Sequence, residues 1–296
     1  MASRLKRLGA DLSLLSVAII WGSTFLIVQD ATKQTPVFTF LFWRFLLATV
    51  LMAFFSFKHF YLIDRKTLFA GFILGAFLFL GYAFQTFALL YAYSSTVGFI
   101  TGLNVVVIPF VLLIIFKQKV SIRSCAGAII AAFGLYFLSA NTQIGIGKGE
   151  FYALICAFMF SFQIVFTGFY TKKHNTYSLV LVQFFAVTLF CFFGIFTFNN
   201  PILPPKFDYL FMKAVVITSV FATIFAFFVQ TAMQKFTSST KTAIIFTCEP
   251  IAAGVTGYFF ANEIFTCMQF IGAFLIIVGM LTAEIGDYVV KKIKGG

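Results

Sequence analysis

Ten long runs of apolar residues, separated by short polar links, organise the chain from end to end. A helix needs about 20 mostly apolar residues to cross the hydrocarbon core of a bilayer. The runs cover residues 12–29, 37–57, 67–91, 97–116, 124–140, 149–169, 177–197, 211–231, 241–261 and 264–285. The pattern therefore predicts an all-α integral membrane protein with ten transmembrane helices and no inserted soluble domain.

Lysine and arginine are distributed unevenly among the links. If the N-terminus lies in the cytoplasm, 16 of the 21 cationic residues fall on the cytoplasmic side. Only Lys33, Lys148, Lys206 and Lys213 then lie outside, and Arg44 lies within a predicted helix. Because cytoplasmic links of membrane proteins are enriched in Lys and Arg, this bias predicts that both termini are cytoplasmic. We expect a multi-pass protein of the cytoplasmic (inner) membrane.

The composition requires lipid as the surrounding solvent. Hydrophobic residues make up 61% of the chain and charged residues 10%, whereas a soluble domain carries roughly 25% charged residues. A net charge of +12 in a soluble protein would suggest a nucleic-acid partner. Here the charges lie in clusters between apolar runs, so orientation in the membrane explains them and no nucleic-acid partner is predicted.

The two halves of the chain resemble each other. An offset of 145 residues aligns Gln85 with Gln230, Ser94 with Ser239 and Gly127 with Gly272, and near the start an offset of 139 aligns Arg44 with Gln183. We predict two repeats, 1–144 and 145–296, with five helices each. Because five is odd, the second repeat must enter the membrane in the opposite direction. Inverted repeats recur in secondary transporters, where the substrate binds near the midplane between the halves.

Several short motifs add a family resemblance. They are "WGSTF" from Trp21, "WRFLLA" from Trp43, "EP" at Glu249 and "NE" at Asn262. In this order and spacing the whole chain resembles the EamA-type branch of the drug/metabolite transporter superfamily. The resemblance implies two inverted repeats of five helices around a central cavity, lined mainly by helices 1, 3, 4, 6, 8 and 9. It also implies export of amino acids or other small metabolites.

One position departs from the family pattern. Where the first repeat of such proteins often has an acidic residue after helix 4, this chain has Gln118 between Lys117 and Lys119. Glu263 keeps the acidic counterpart in the second repeat. Contacts that depend on a first-repeat carboxylate at this position are therefore not expected here.

Two charged residues lie inside predicted helices. Glu249 is the only acidic residue deep within a run, and a charge at the bilayer centre costs about 2.5–3.5 kcal/mol on insertion scales. We expect it to couple protons, to bind a substrate amine, or to act as a structural carboxylate held by helix 8, with a kink at Pro250. Arg44 has three alternatives: to snorkel outward, to bind a substrate carboxylate or to pair with Glu249. If both charges line the cavity, a zwitterionic solute fits.

Uncharged polar and aromatic residues within the runs complete the predicted binding site. Each is either a cavity residue or a partner in interhelical hydrogen bonding or packing. These candidates are Gln85, Asn104, Gln163, Gln230, Trp21, Thr24, Tyr82 and Tyr258. Because Gln85 and Gln230 occupy equivalent repeat positions, we expect them to be placed symmetrically around the cavity.

Together these features predict a secondary active transporter that exports amino acids or related small metabolites by alternating access, with protons as a possible coupling ion. The alternatives are an exchanger or uptake carrier for a nucleotide-derived or cofactor-like solute, and a lipid-handling protein. An enzyme is disfavoured because His59 and His174 lie in links and Glu249 has no second carboxylate within the membrane. No nucleotide-binding loop is present, and the five cysteines lack metal-ligand spacing, so no cofactor or metal is predicted.

Overall fold

The computed structural model describes residues 2–139 and 147–294, with side chains for 9–139, 147–239 and 241–283; these ranges contain helices and no strand. The uninterrupted helices are α1 (Ala2–Thr32), α2 (Val37–Ser56), α3 (Arg65–Leu89), α5 (Ile122–Leu138), α6 (Lys148–Tyr170), α7 (Thr176–Thr197) and α10 (Cys267–Lys294). Three further helices contain breaks: α4 (Ser94–Thr101 and Asn104–Phe116), α8 (Tyr209–Ser219, a π turn at Val220–Phe225, and Ala226–Met233) and α9 (Ser239–Phe246 and Cys248–Ala261).

The helices are long and apolar, as expected of membrane spans. Within the described ranges, eight helices have the length and composition to cross a membrane. The apolar parts of α5 and α10, Ile122–Leu138 and Cys267–Ala283, are shorter. The chain is therefore an all-α, multi-pass membrane protein, and the number of ten crossings stays a prediction. The predicted repeat boundary after residue 144 lies outside the described residues.

Polar residues in the links begin the helices. The side chain of Asp64 accepts a hydrogen bond from the backbone N–H of Thr67 at the start of α3 (2.7 Å). Asp208 accepts from Phe211 N at the start of α8 (2.8 Å). Such caps satisfy backbone donors that have no partner within the helix, and each contributes about 0.5–2 kcal/mol. These polar residues in the links thus determine where the helices begin.

Helices α5 and α10 cross at their glycines. A Cβ on Gly127 would lie 2.5 Å from the carbonyl oxygen of Gly279, and one on Gly134 would lie 2.8 Å from that of Gly272. The earlier glycine of each helix therefore meets the later glycine of the other. This reciprocal contact requires the two helices to run antiparallel, which is the arrangement that an inverted repeat needs between equivalent helices.

The backbone after α4 is repeated after α9. Lys117 and Asn262 both adopt the left-handed conformation, with φ of 53° and 52°. The next residue in each case donates a backbone hydrogen bond to the helix, from Gln118 N to Leu112 O (3.3 Å) and from Glu263 N to Gly257 O (3.1 Å). All of these positions are related by the offset of 145 residues. The same helix-ending turn is therefore built twice.

The side chains at these two turns make different contacts. The carboxylate of Glu263 accepts hydrogen bonds from the backbone N–H and the hydroxyl of both Ser94 and Ser95, and so caps α4. Gln118 instead lines an open pocket together with Ser238 and Ser239. The amide at the first-repeat position does not reproduce the carboxylate cap, in line with the departure noted in the sequence.

Candidate functional site

A central cavity lies between the helices of both halves. Helices α1, α3, α4, α6, α8 and α9 all contribute to its wall, and α2 adds Arg44. Eight of the ten predicted site residues line it, namely Trp21, Thr24, Arg44, Tyr82, Gln85, Asn104, Gln163 and Glu249. The remaining wall is apolar and is formed by Phe25, Val28, Leu89, Phe160, Ile164 and Phe227.

Arg44 is almost fully buried, with 2% of its surface exposed. Its Nε atom donates to the hydroxyl of Thr223 (2.9 Å) and its Nη2 atom donates to the hydroxyl of Tyr82 (3.0 Å). The guanidinium carbon also lies 4.3 Å from the centre of the Tyr82 ring, in cation–π range. The side chain neither snorkels outward nor pairs with Glu249, so those two expectations are wrong. These neutral partners hold the guanidinium in place without cancelling its charge.

A π-helical turn in α8, Val220–Phe225, supplies further acceptors for this arrangement. The carbonyl oxygen of Ala222 accepts from the indole N–H of Trp21 (2.9 Å) and from Arg44 Nη2 (3.5 Å). The hydroxyl of Thr223 donates to Thr218 O, five residues earlier, at 2.8 Å. A backbone carbonyl within this wider turn thus accepts from side chains of other helices, which fits the frequent occurrence of π turns at functional sites.

Glu249 brings a carboxylate to the same cavity wall as Arg44. It is 5% exposed, and its carboxylate forms no hydrogen bond or salt bridge with any residue in the described ranges. It is therefore not held by polar groups of α8, so the expectation of a structural carboxylate is wrong. A buried carboxylate is costly unless a proton or a positive partner joins it. The cavity side of Glu249 is where such a partner fits.

The backbone at Glu249 is fixed by close helix packing. A Cβ on Gly22 of α1 would collide with the carbonyl oxygen of Glu249, and a Cβ on Gly98 of α4 would collide with Ala253. The helix is interrupted at Thr247, three residues before Pro250, near the kink that the proline predicts. Small residues on two neighbouring helices therefore bring the broken helix, and its carboxylate, into the wall of the cavity.

The amide side chains differ in how far their hydrogen bonds are satisfied. Gln163 accepts from Gln230 Nε2 (3.2 Å) and donates to the hydroxyl of Thr167 (3.0 Å). Asn104 Oδ1 is buried with no hydrogen-bond partner. Gln85 lines the cavity, and its amide makes no hydrogen bond in the described part of the chain. Asn104 and Gln85 therefore leave polar groups available to a solute.

Two predicted residues lie elsewhere. Gln230 is fully buried behind Gln163 and does not line the cavity, so the symmetric placement of Gln85 and Gln230 is wrong. Tyr258 is 59% exposed and packs against Phe259. At about 100° per residue, Tyr258 projects roughly 180° away from Glu249 on the same helix, so its prediction as a cavity residue is also wrong.

The remaining predicted residues have identifiable contacts in the cavity wall. The Trp21 ring packs against Phe227 and Phe246, with centroid distances of 5.1 and 5.0 Å. The hydroxyl of Thr24 donates to Trp21 O (2.9 Å) within α1. Sequence reasoning missed Ala222 and Thr223, because a backbone carbonyl freed by a π turn carries no mark in the residue types around it.

Known proteins were compared with the chain as a whole. The EamA-like transporter family model matches residues 8–140 and 147–283, once for each half. A curated relative from Archaeoglobus fulgidus, described as an uncharacterized transporter, is 33% identical over 287 residues, which cover 96% of this chain and 88% of the relative. A crystal structure of a protein with 17% sequence identity shares the fold with a TM-score of 0.71, and covers 96% of this chain and 99% of that one.

Proposed function

Because this chain belongs to the EamA-like transporter family, we propose that its substrates are amino acids or closely related zwitterionic metabolites, which it exports across the cytoplasmic membrane. One observation carries the proposal. Arg44 and Glu249 line the same cavity, each is at most 5% exposed, and neither neutralises the other. A solute with one carboxylate and one ammonium group supplies the missing counter-charge to both residues.

The proposed binding mode follows from the chemistry of the two groups. Arg44 uses Nε and Nη2 for Thr223, Tyr82 and Ala222, so Nη1 is the nitrogen left to donate to the carboxylate of a solute. Hydrogen bonds between ionised groups are among the strongest in proteins. The ammonium group of the solute would bind the carboxylate of Glu249, which has no partner among the described residues. The apolar part of the wall, with Phe160 and Phe227, faces the rest of the solute. Asn104 and Gln85 add the uncharged hydrogen-bonding groups.

The same carboxylate suggests how export is driven. Glu249 has room for one positive partner, either the ammonium group of the solute or a proton. In the proposed cycle the solute leaves Glu249 on the outside, a proton replaces it, and the proton is released on the inside when the next solute binds. Two similar halves of opposite orientation would exchange conformations to open each side in turn. Ten crossings and two cytoplasmic termini belong to this proposal.

The experiment that tests the proposal is efflux from proteoliposomes loaded with an equimolar mixture of the common amino acids. Mass spectrometry of the external solution would follow each compound, with empty liposomes and the double variant Arg44→Gln/Glu249→Gln as controls. We expect selective, protein-dependent efflux of a subset of amino acids and no efflux from the controls. Protein-dependent flipping of labelled lipids without amino-acid efflux would contradict the proposal.

A further inference from the structure

The internal repeat relates two carboxylates at opposite ends of the molecule, one within α1 and one in the first turn of α6. An offset of 139 residues relates Asp11 of α1 to Glu150 of α6, and the offset of 145 relates Lys241 of α9 to Thr96 of α4. At the first end, Lys241 Nζ lies 2.6 Å from Asp11 Oδ2 in a salt bridge that joins α9 to α1. The molecule thus shows that a carboxylate at this repeat position binds an alkylammonium group.

At the other end of the molecule, the repeat keeps a carboxylate, Glu150, but has no lysine at the position equivalent to Lys241. Glu150 is 6% exposed, and it has no hydrogen-bond or salt-bridge partner in the parts of the chain that the structure describes. Thr96 stands where the repeat would place the equivalent of Lys241, and it is 4% exposed and uncharged. Lys33 lines the same pocket as Glu150, but its ammonium group is paired with Asp30 at 2.8 Å in an exposed salt bridge.

Open space lies where the ammonium group would be. Glu150 and Thr96 line a second, open cavity of about 600 Å³, which we call the vestibule. Other residues of its wall are Gln29, Thr32, Leu89 and Gln269. Leu89 also lines the central cavity, so the two spaces are neighbours. In the predicted orientation the vestibule is at the outer end.

The position of Glu150 in the helix does not by itself account for a buried charge. Glu150 lies in the first turn of α6, where the helix dipole stabilises an anion by typically 0.3–1 kcal/mol. The effective penalty for burying an ion is several kcal/mol. A positive partner from solution would offset such a penalty, and the vestibule is open enough to admit one.

We propose that Glu150 binds the ammonium group of a solute in the vestibule, in the place that Lys241 fills at the other end. The identity of the solute rests on the proposed function, since a zwitterionic substrate carries such a group. Glu150 would then form a second binding position, next to the central cavity, on the outer part of the route.

The test uses n-propylammonium, which has the ammonium group of an amino acid and lacks its carboxylate. Binding to the purified full-length protein would be measured by saturation-transfer NMR at constant ionic strength, in the Glu249→Gln background, so that the central carboxylate does not contribute. We expect Glu150→Gln to weaken binding more than tenfold. Thr96→Lys should weaken it to the same extent, because the new ammonium group occupies the site. Thr96→Met, of similar length and without charge, should weaken it less than Thr96→Lys, because it lacks the ammonium group that would pair with Glu150.

Several outcomes would overturn the inference. One is equal binding by the Glu150→Gln and parent proteins, with both monodisperse and equally stable to heat. Another is unaltered binding in Thr96→Lys, and a third is displacement of the probe by an equal concentration of Na⁺, which would indicate an inorganic cation site. If liposomes show no amino-acid efflux while propylammonium binding still depends on Glu150, the proposed function fails and the vestibule site stands.

Discussion

Arg44 Nε and the hydroxyl oxygen of Thr223 are joined by a hydrogen bond of 2.9 Å that links α2 to the π turn of α8. Thr223 in turn donates to Thr218 O at 2.8 Å. The hydroxyl therefore accepts from the guanidinium and donates to the backbone at the same time. This dual role fixes the direction in which the Arg44 charge faces the cavity.

Replacement of Thr223 should disturb substrate binding without removing a charge. We expect Thr223→Val to raise the apparent KM for carboxylate-bearing solutes about tenfold, because the lost bond to a charged group is worth about 1.5–3 kcal/mol. Thr223→Ser keeps the hydroxyl and should behave like the parent protein. Initial uptake rates in proteoliposomes measure both variants. Equal KM values for Thr223→Val and the parent would show that this bond does not position Arg44.

The glycine contacts between α5 and α10 should be important for stability. In Gly127→Ala the new Cβ would lie 2.5 Å from Gly279 O, so the helices must separate. Overpacking of this kind typically costs about 1–3 kcal/mol, and we expect a lower thermal unfolding midpoint in detergent. Gly9→Ala is the matched control, since none of the described side chains lies within 4 Å of its Cβ position. It should match or exceed the parent, because Ala favours helices over Gly by about 1 kcal/mol. Equal midpoints in the two variants would contradict close packing.

The link between α6 and α7 contains His174, whose pKa predicts how the stability of the protein changes with pH. His174 Nδ1 lies 2.9 Å from the Thr67 hydroxyl. Burial lowers the pKa of His174 below its usual value of 6.5, and this effect exceeds the opposing one of Asp64. The unfolded chain therefore binds more protons than the folded one between the lowered pKa and 6.5. This residue should make the protein more stable as pH rises through that interval.

Asp64→Asn isolates the electrostatic part of this effect. Asparagine still caps α3, but the nearby negative charge is gone, so the pKa of His174 should fall further. Lys66→Gln should raise it, because Lys66 lowers the pKa of His174 through like-charge repulsion. Titration of the imidazole resonances by NMR measures both changes. A rise in the Asp64→Asn variant would contradict the assigned interaction.

Glu249 should make transport sensitive to a proton gradient. We expect amino-acid efflux by the parent protein to accelerate when protons can move in the opposite direction, and Glu249→Gln to lose this response because an amide cannot exchange a proton. Asp208→Asn is the control, since Asp208 is a helix cap outside the cavity and asparagine caps equally well. Efflux with and without an imposed gradient distinguishes the variants. An equal response in Glu249→Gln would exclude this residue from coupling.

The sequence predicted the family, the helical class and most of the cavity wall. Isolated polar residues in apolar runs are costly unless they face a partner or a cavity, and this rule placed Arg44, Glu249, Gln85 and Asn104 correctly in the wall. It did not distinguish wall residues from those one layer behind, so Gln230 was misplaced. The prediction that Tyr258 lines the cavity failed because an amphipathic aromatic side chain is equally stable against lipid. Only its angular position on α9 decides whether it faces lipid or the cavity.

Other features depended on contacts that residue types do not reveal. The π turn at Val220–Phe225 contains neither Gly nor Pro, so nothing in its composition predicted that Ala222 O would accept bonds from three other helices. Glu150 lies at the start of the predicted run 149–169, and nothing in the sequence there indicates whether it has a partner. Only the structure shows that it lines the vestibule with Thr96 and has no partner among the described residues.

The most direct test of the central claim, that Arg44 and Glu249 bind the two ends of one solute, is a counterflow measurement with modified substrates. Transport of the preferred amino acid would be compared with that of its carboxamide and its N-acetyl derivative, in the parent, Arg44→Gln and Glu249→Gln proteins. We predict that the parent discriminates more than tenfold against both derivatives, that Arg44→Gln no longer discriminates against the carboxamide, and that Glu249→Gln no longer discriminates against the N-acetyl compound. Parent-like discrimination in both variants would contradict the account.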